Sequence, residues 1–191
     1  NEMTANTTDE HPPALSSGYW GDLTTADFTN IDPMRTIALL PVAAIEQHGP
    51  HLPLDTDICI NEGLVNNLLS KSLTSVIILA LPPMLIGEST EHSDFPGTLT
   101  ATAETLIKLW TEIGEQVFKA GIHKMLILNS HGGQPQIVDI VSQRLRAHKQ
   151  MLVVGVDTFR LSTPPGLFSI DELRYGLHAG EIETSMMLHL R

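Results

Sequence analysis

A chain of 191 residues with 42% hydrophobic residues is long enough to bury one substantial core, and its length favours one domain over two. Its net charge of -11, from 22 acidic and 11 basic residues, would repel a phosphate backbone, and no cluster of Lys and Arg offsets that repulsion. We therefore expect no nucleic-acid partner.

Cysteine content and hydropathy indicate the compartment. The single cysteine, Cys59, rules out an intramolecular disulfide framework and favours a reducing environment. The longest apolar stretch, residues 76–85, contains two prolines and is too short to cross a bilayer. Residues 1–17 are polar and are predicted to be a flexible tail rather than a signal peptide. We expect a cytoplasmic protein without membrane contact, with one domain over residues 18–191.

Apolar runs and amphipathic segments alternate along the chain. The apolar runs have the composition of strands buried on both faces of a sheet, and the segments between them place apolar residues at helical spacing. The predicted strands are residues 36–42, 75–81, 124–129 and 151–157, and the predicted helices are residues 56–71, 101–120 and 135–148. This alternation predicts an α/β fold in which a mostly parallel sheet carries helices on both faces.

Polar segments follow the first three predicted strands, at residues 46–57, 88–98 and 129–133. The carboxyl ends of parallel strands meet at one edge of the sheet, and sites in such folds gather there. We therefore expect these three segments to converge on one site.

The first polar segment is the densest in candidate ligands. Glu46 and His48 share a face if the chain is extended there, and they can supply an oxygen and a nitrogen ligand to a zinc-like or manganese-like ion. Asp57, brought back by a loop that contains two prolines, could bridge two ions. The alternative is an exposed polar loop in which Asp55 or Thr56 caps the following helix.

Two later segments also carry histidine. His131 comes directly after a predicted strand, and the two glycines that follow it permit close approach of the backbone. His178 and Glu181 are three residues apart, so they share one face if their segment is helical, as a ligand and a neighbouring acid/base group. The alternative for this pair is the solvated start of a helix.

Together, the polar segments resemble the creatininase family of creatinine amidohydrolases and related deformylases. The family pattern is close to E-x-H-G-x-H-L-P-x-x-T-D, then N-x-H-G-G-N, then H-A-G-E-x-E-T-S. This chain carries, in the same order, EQHGPHLPLDTD at 46–57, EHSDFPGT at 91–98, NSHGGQ at 129–134 and HAGEIETS at 178–185. Creatininase proper has a Glu where this chain has Gly133, so the chain resembles the amidohydrolase and deformylase branch more closely.

The resemblance implies a three-layer α/β/α sandwich, a homo-oligomer that is often a hexamer, and a centre of two divalent ions, which could be zinc, manganese or iron. The ligands that it implies are Glu46 and His131 for one ion, His48 and Glu181 for the other, and Asp57 as the bridge between them. By the same resemblance, His178 is the expected proton shuttle of the reaction.

Four further residues have smaller predicted roles. His51 belongs to the first motif and is predicted to orient a ligand through a hydrogen bond rather than to bind an ion. Ser89, Glu91 and His92 follow the second predicted strand and are candidates for substrate contact.

The predicted function is hydrolysis of a C–N bond in a small cyclic amide or formamide-type substrate by a metal-activated water. Two alternatives stay open, namely a non-catalytic member of the same fold that binds a metal or ligand, and a metal-dependent enzyme of another reaction type. The ligand set favours the hydrolase, because structural zinc sites are usually rich in cysteine. The chain stops soon after its last motif, so we expect a domain truncated at its C-terminus relative to the family.

Overall fold

Four parallel strands form the centre of the fold in the computed structural model, which describes residues 17–191 except residues 72 and 74. The strands are β1 (Thr36–Val42), β2 (Ile77–Ala80), β3 (Lys124–Asn129) and β4 (Leu152–Asp157), and they lie in the order β2-β1-β3-β4. The tail predicted for residues 1–17 lies outside the described residues except for Ser17.

Helices connect and cover the strands. They are α1 (Thr25–Phe28), α2 (Thr56–Leu69), α3 (Ala103–Lys119), α4 (Pro135–Lys149), α5 (Ile170–Tyr175) and α6 (Glu181–Leu190), with short 3-10 turns at Trp20–Asp22, Thr90–His92 and Thr158–Arg160. None of the helices within the described part of the chain has the length and apolar character needed to span a membrane.

The predicted α/β class with a parallel sheet is confirmed, and the structure adjusts several element ends. β2 is shorter than predicted because only Ile77–Ala80 pairs with β1, and two prolines follow soon after it. α3 begins at Ala103, because the Thr102 side chain accepts a hydrogen bond from the Thr105 N–H and caps the helix. α4 ends at Lys149, where Gln150 adopts the left-handed conformation with φ 55°.

Two apolar layers enclose the sheet. One layer packs α3 and α4 against one face, with Trp110, Met125, Ile127 and Leu145 in its buried core. The other packs α2 against the opposite face around Leu39, Val65, Ala80 and Leu128, and α6 packs in turn on α2. β1 is almost entirely buried because it lies inside the sheet and has helices on both faces, as its continuous apolar sequence TIALLPV predicts.

The central strands β1 and β3 position the site. β1 pairs with β3 through Ala38–Met125 to Val42–Asn129, so the two strands end side by side. The segments that follow them therefore leave the sheet at the same edge, and α2 begins directly above them at Thr56.

Candidate metal centre

Glu46 and His131 meet at the carboxyl ends of β1 and β3. The distance from His131 Nδ1 to Glu46 Oε1 is 3.1 Å, and both side chains are 2% exposed. They come from two segments far apart in sequence that parallel pairing brings together, as the sequence predicts for this edge of the sheet.

A second group forms around His48. Its Nε2 lies 3.3 Å from Asp57 Oδ1 and 3.9 Å from Glu183 Oε1. Asp57 reaches the group from the first turn of α2, and Glu183 reaches it from the first turn of α6. These three residues offer ligand atoms that all lie within 4.8 Å of one another.

Asp57 joins the two groups through its two carboxylate oxygens. Oδ1 faces His48, and Oδ2 lies 3.4 Å from His131 Nδ1. In a tetrahedral site with metal–ligand bonds of about 2.0–2.1 Å, neighbouring ligand atoms are roughly 3.3 Å apart. The observed separations of 3.1, 3.3 and 3.4 Å are close to that value, whereas the 3.9 Å from His48 Nε2 to Glu183 Oε1 is longer.

The hydrogen bonds on the far side of each imidazole determine which nitrogen faces the centre. His131 Nε2 lies 2.6 Å from the Glu88 carbonyl oxygen, which can only accept, so Nε2 donates and Nδ1 faces the carboxylates. His48 Nδ1 likewise donates to the Glu46 carbonyl oxygen at 3.1 Å, which leaves its Nε2 towards Asp57. This is the arrangement that orients metal-binding histidines in proteins.

Four buried atoms of the cluster have no hydrogen-bond partner among the described residues: Glu46 Oε2, His48 Nε2, Asp57 Oδ2 and His131 Nδ1. Buried polar atoms without partners are rare in folded proteins, because each costs free energy. Oxygen and nitrogen atoms that face one another at such distances are satisfied together by a cation. The donor set therefore fits divalent metal ions.

The electrostatics of the cluster favour positive charge. Burial lowers the pKa of the His131 imidazole, but the adjacent carboxylates of Asp57 and Glu46 outweigh that effect and raise the pKa to about 10. His48 follows the same pattern, because burial lowers its pKa and Asp57 raises it by more. The carboxylates thus stabilise a cation at these nitrogens, whether a proton or a metal ion.

His178 lies beside the cluster. Its Nε2 donates to the Gln47 carbonyl oxygen at 2.6 Å, and its Nδ1 lies 3.7 Å from Glu46 Oε1. The ring stands between two other imidazoles, with centroids 4.2 Å from His48 and 4.4 Å from His92. His178 therefore presents one nitrogen, Nδ1, to the centre from a half-buried position.

The structure does not bring Glu181 to this group. α6 begins at Glu181 after Ala179, which adopts a left-handed φ of 53°, so His178 precedes the helix and does not share a helical face with Glu181. Glu181 is exposed, and the carboxylate beside His48 and Asp57 is that of Glu183. The Ala179 N–H donates to Glu183 Oε2, which leaves Oε1 facing His48.

The remaining predicted residues lie around the cluster. His51 is exposed, and its Nε2 is 3.2 Å from the Thr184 hydroxyl of α6. Ser89 is fully buried, with its hydroxyl 3.3 Å from His131 Nε2, so its contact in the structure is with the imidazole. Glu91 Oε1 lies 3.6 Å from His131 Nε2, and His92 Nε2 lies 3.9 Å from Glu46 Oε1.

Neither Asp55 nor Thr56 caps α2 with its side chain, so the structure does not contain that alternative. Asp55 occupies the N-cap position of α2 without a side-chain capping bond, and its carboxylate pairs with Arg191 at 2.6 and 3.0 Å. The Thr56 hydroxyl donates to the Pro53 carbonyl oxygen. This loop is therefore held by Arg191, which directly follows α6, and by its own turn.

Sequence reasoning missed two residues of the site, Glu183 and Gln47. Glu183 stands two residues after Glu181 in the last motif, so the sequence shows two acids there. The residue at which α6 begins decides which of them faces His48, and the sequence does not show where that is. Gln47 donates its side-chain amide to His92 Nδ1 at 2.9 Å and holds His178 through its carbonyl. No sequence signal distinguishes such a residue from other polar loop residues.

Comparison with known proteins gives one family match and several relatives. The model of the creatininase family, described as creatinine amidohydrolase, matches residues 21–191. The mycofactocin precursor peptide peptidase of Mycobacterium ulcerans is 31% identical, over 89% of this chain and 64% of that protein. Creatinine amidohydrolase of Pseudomonas putida is 22% identical, over 91% of this chain and 72% of that protein. A formylaminopyrimidine deformylase of Methanococcus maripaludis is 31% identical, over 52% of this chain and 42% of that protein.

Solved structures share the fold. A crystal structure of creatinine amidohydrolase superposes with a TM-score of 0.69 at 22% identity, over 92% of this chain and 73% of that one. A mutant creatininase gives a TM-score of 0.74 at 23% identity, over 91% of this chain and 73% of that one. The chain spans 64% of the length of the peptidase relative, so these comparisons establish the fold and leave the activity of a whole protein to be proposed.

Proposed function

Because the chain belongs to the creatininase family, we propose that it acts as a metal-dependent amidohydrolase on the C–N bond of an amide or formamide-type substrate. The names of three relatives, a peptide peptidase, a creatinine amidohydrolase and a deformylase, all denote cleavage of an amide-type C–N bond. We propose a small cyclic amide or formamide as the substrate class, with short peptides as the alternative that the peptidase relative suggests.

The observation that carries this proposal is the placement of Asp57 between His48 and His131, with one carboxylate oxygen towards each. We propose two divalent ions per chain, one held by Glu46 and His131, the other by His48 and Glu183, with Asp57 shared. Zinc, manganese and iron all suit such ligands, and solved creatininases are described as a Zn-Zn type and a Mn form.

When bound, two such ions supply Lewis-acid activation of a water molecule and of an amide carbonyl. Hydrolysis adds the oxygen of that water to the carbonyl carbon, breaks the C–N bond and requires a proton on the departing nitrogen. That proton comes from the attacking water. His178 is placed for the transfer, because its Nε2–H donates to the Gln47 carbonyl, and its free Nδ1, which faces the centre, would accept the proton from the water and pass it to the departing nitrogen. The products are an acid and an amine.

We further propose a homo-oligomer in a cytoplasmic setting. Large apolar side chains are exposed on β4 and on the segment that follows it, which suits association with further protein surface. The single cysteine, Cys59, is buried and free, which suits a reducing compartment. A hexamer is the specific state that the family resemblance implies.

Metal content per chain tests the proposal directly. After loading with Zn²⁺ and removal of excess metal, elemental analysis should give about two ions per chain for the unsubstituted protein. Asp57→Asn should lose most of the metal, because both ions share this carboxylate, and Glu183→Gln should lose about one ion. Glu181→Gln is the matched control, since it removes the neighbouring but exposed carboxylate, and it should retain both ions.

The same experiment separates the alternatives. Absence of metal from the unsubstituted protein, or full retention in Asp57→Asn, would contradict the two-ion centre. A metal-replete protein that hydrolyses none of a panel of cyclic amides, formamides and short peptides would favour the non-catalytic alternative or another reaction type. Loss of an ion in Glu181→Gln but not in Glu183→Gln would restore the ligand set implied by the family resemblance.

A further inference from the structure

Glu91 forms the outer wall of the candidate centre on its His131 side. Ligand atoms of Glu46, Glu91 and His131 all lie within 4.8 Å of one another, and Glu91 Oε1 is 3.6 Å from His131 Nε2. The Glu91 side chain is 43% exposed, whereas the other two are 2% exposed. Its carboxylate therefore stands between the buried ligands and solvent.

Gly133 leaves room for this carboxylate. A Cβ atom at position 133 would lie closer than 3.0 Å to both Glu91 Oε1 and His131 Nε2, a separation that real Cβ atoms essentially never show. Gly133 has no positive φ, so its backbone conformation does not demand glycine. Because glycine has no side chain, position 133 leaves the space that the Glu91 and His131 side chains occupy.

The backbone on both sides of Glu91 is fixed. On one side the Ser89 N–H donates to the Thr100 hydroxyl at 2.9 Å. On the other side the His92 N–H donates to the Ser89 carbonyl oxygen at 3.0 Å, and Gln47 holds the His92 ring. Glu91 is thus presented from a 3-10 turn with a fixed backbone. In the structure its carboxylate lies beside His131 Nε2, and rotation of the Glu91 side chain towards Nδ1 would bring it to the ion.

We propose that Glu91 is an additional metal ligand of the ion on the His131 side. This inference rests on the proposed two-ion function, and two buried, unpartnered atoms on that side, Glu46 Oε2 and His131 Nδ1, also point to a cation there. The His131 side then has four side-chain ligands with Asp57, whereas the His48 side has three with Glu183. Four protein ligands close a metal site and three leave a position open. The His131-side ion is therefore the tighter one, and the His48 side is the open one.

Zn²⁺ affinity of the full chain tests the proposal without any substrate. Competition with a chromophoric chelator should resolve two binding constants in the unsubstituted protein. In Glu91→Gln the tighter constant should weaken by about tenfold or more, while the weaker one stays unchanged. Glu91→Asp keeps the charge but shortens the side chain, so it should weaken the tighter site by less than Glu91→Gln.

Asp94→Asn is the matched control, because it removes one exposed carboxylate from the same loop, and both of its constants should equal those of the unsubstituted protein. Thermal melting of the metal-free variants checks that each one folds. If the unsubstituted protein binds two ions and Glu91→Gln keeps both constants, this inference is overturned and the two-ion function stands. If the unsubstituted protein binds no Zn²⁺, both proposals fail. If Asp94→Asn weakened the tighter Zn²⁺ constant as much as Glu91→Gln, Glu91 would contribute only as a nearby negative charge. That result would also overturn the inference.

Discussion

At the scale of single residues, Asn61 connects the helix and the strands that carry the candidate ligands. It lies on α2 one turn after Asp57, and it is 2% exposed. Its side-chain amide group lies 3.1 Å from the Val42 carbonyl oxygen, 3.0 Å from the Leu128 carbonyl oxygen and 3.1 Å from the Ser130 hydroxyl. These acceptors belong to the ends of β1 and β3, so Asn61 holds Asp57 in register with both strands.

Asn61→Asp is therefore expected to destabilise the protein. The change keeps the shape of the side chain, but it removes the N–H donors and places a carboxylate against carbonyl oxygens. Loss of buried hydrogen bonds and burial of an unpaired charge should together lower the free energy of unfolding by roughly 2–4 kcal/mol. Urea denaturation measures this, with Asn67→Asp on the exposed side of the same helix as the control. Equal stability of the two variants would contradict the role of Asn61.

At the scale of elements, α3 and α4 pack closely at Gly114. The buried face of α3 consists of Leu106, Trp110, Gly114 and Val117, which follow helical spacing. A Cβ atom at Gly114 would lie closer than 3.0 Å to both Cδ atoms of Leu145 on α4. Leu145 is 1% exposed and cannot move aside into solvent, so glycine permits the close approach of the two helices.

We expect Gly114→Ala to destabilise the protein even though alanine is the better helix former. The gain in helix propensity is about 1 kcal/mol, whereas overpacking a filled core costs about 1–3 kcal/mol. In a Leu145→Val background, which lacks both Cδ atoms, the same substitution should become neutral or stabilising. Chemical denaturation of the four proteins in this cycle measures the reversal of sign. A stabilising Gly114→Ala in the unsubstituted background would show that the helices are not in close contact there.

The position of another element, α6, determines which carboxylate lies beside His48 in the candidate centre. Leu190 packs on Gly63 of α2, since a Cβ atom there would lie closer than 3.0 Å to the Leu190 side chain, and Arg191 pairs with Asp55 at the N-terminus of α2. These contacts hold α6 along α2 and bring the first turn of α6, with Glu183, beside His48. The packing of one helix on another therefore sets the distance between two candidate ligands.

At the scale of the whole molecule, one part of the sheet lacks a covering layer within the described structure. Leu152 and Val154 on β4 are 59% and 45% exposed. Val154 pairs with Leu126, which lies in the layer beneath α2, so these side chains point to the α2 face beyond the reach of that helix. Further exposed apolar side chains follow in the segment after β4: Phe159, Leu161, Leu167, Ile170, Leu173, Tyr175 and Leu177.

We expect the chain to self-associate through this face, in line with the proposed homo-oligomer. Analytical ultracentrifugation should find species larger than the 20.9 kDa monomer. The double substitution Leu152→Lys with Val154→Lys should shift the population to monomer, because two charges would have to be buried in the contact. Leu73→Lys, at a 43% exposed apolar residue in the loop before β2, is the control and should change nothing. A monomeric unsubstituted protein would contradict the expectation.

The amino-acid sequence by itself was sufficient to predict the α/β class, all four strands and the edge of the sheet where the polar segments meet. The reason is physical: strands buried on both faces must be apolar throughout, and parallel pairing places their carboxyl ends together. Glu46 and His131 follow the ends of paired strands, and Asp57 begins the helix above them, so their proximity is a consequence of local sequence and of one pairing rule.

Only the tertiary structure shows that Glu183 rather than Glu181 faces His48, and that Glu91 lies against Gly133. The left-handed turn at Ala179 and the packing of α6 on α2 decide which of two nearby acids faces His48, and neither is encoded in residue spacing alone. Glu91 and Gly133 lie on different loops, and their relation depends on a gap that exists only after both loops have packed. Spacing along a chain predicts which side chains share an element, whereas contacts between elements depend on how closely they approach in three dimensions.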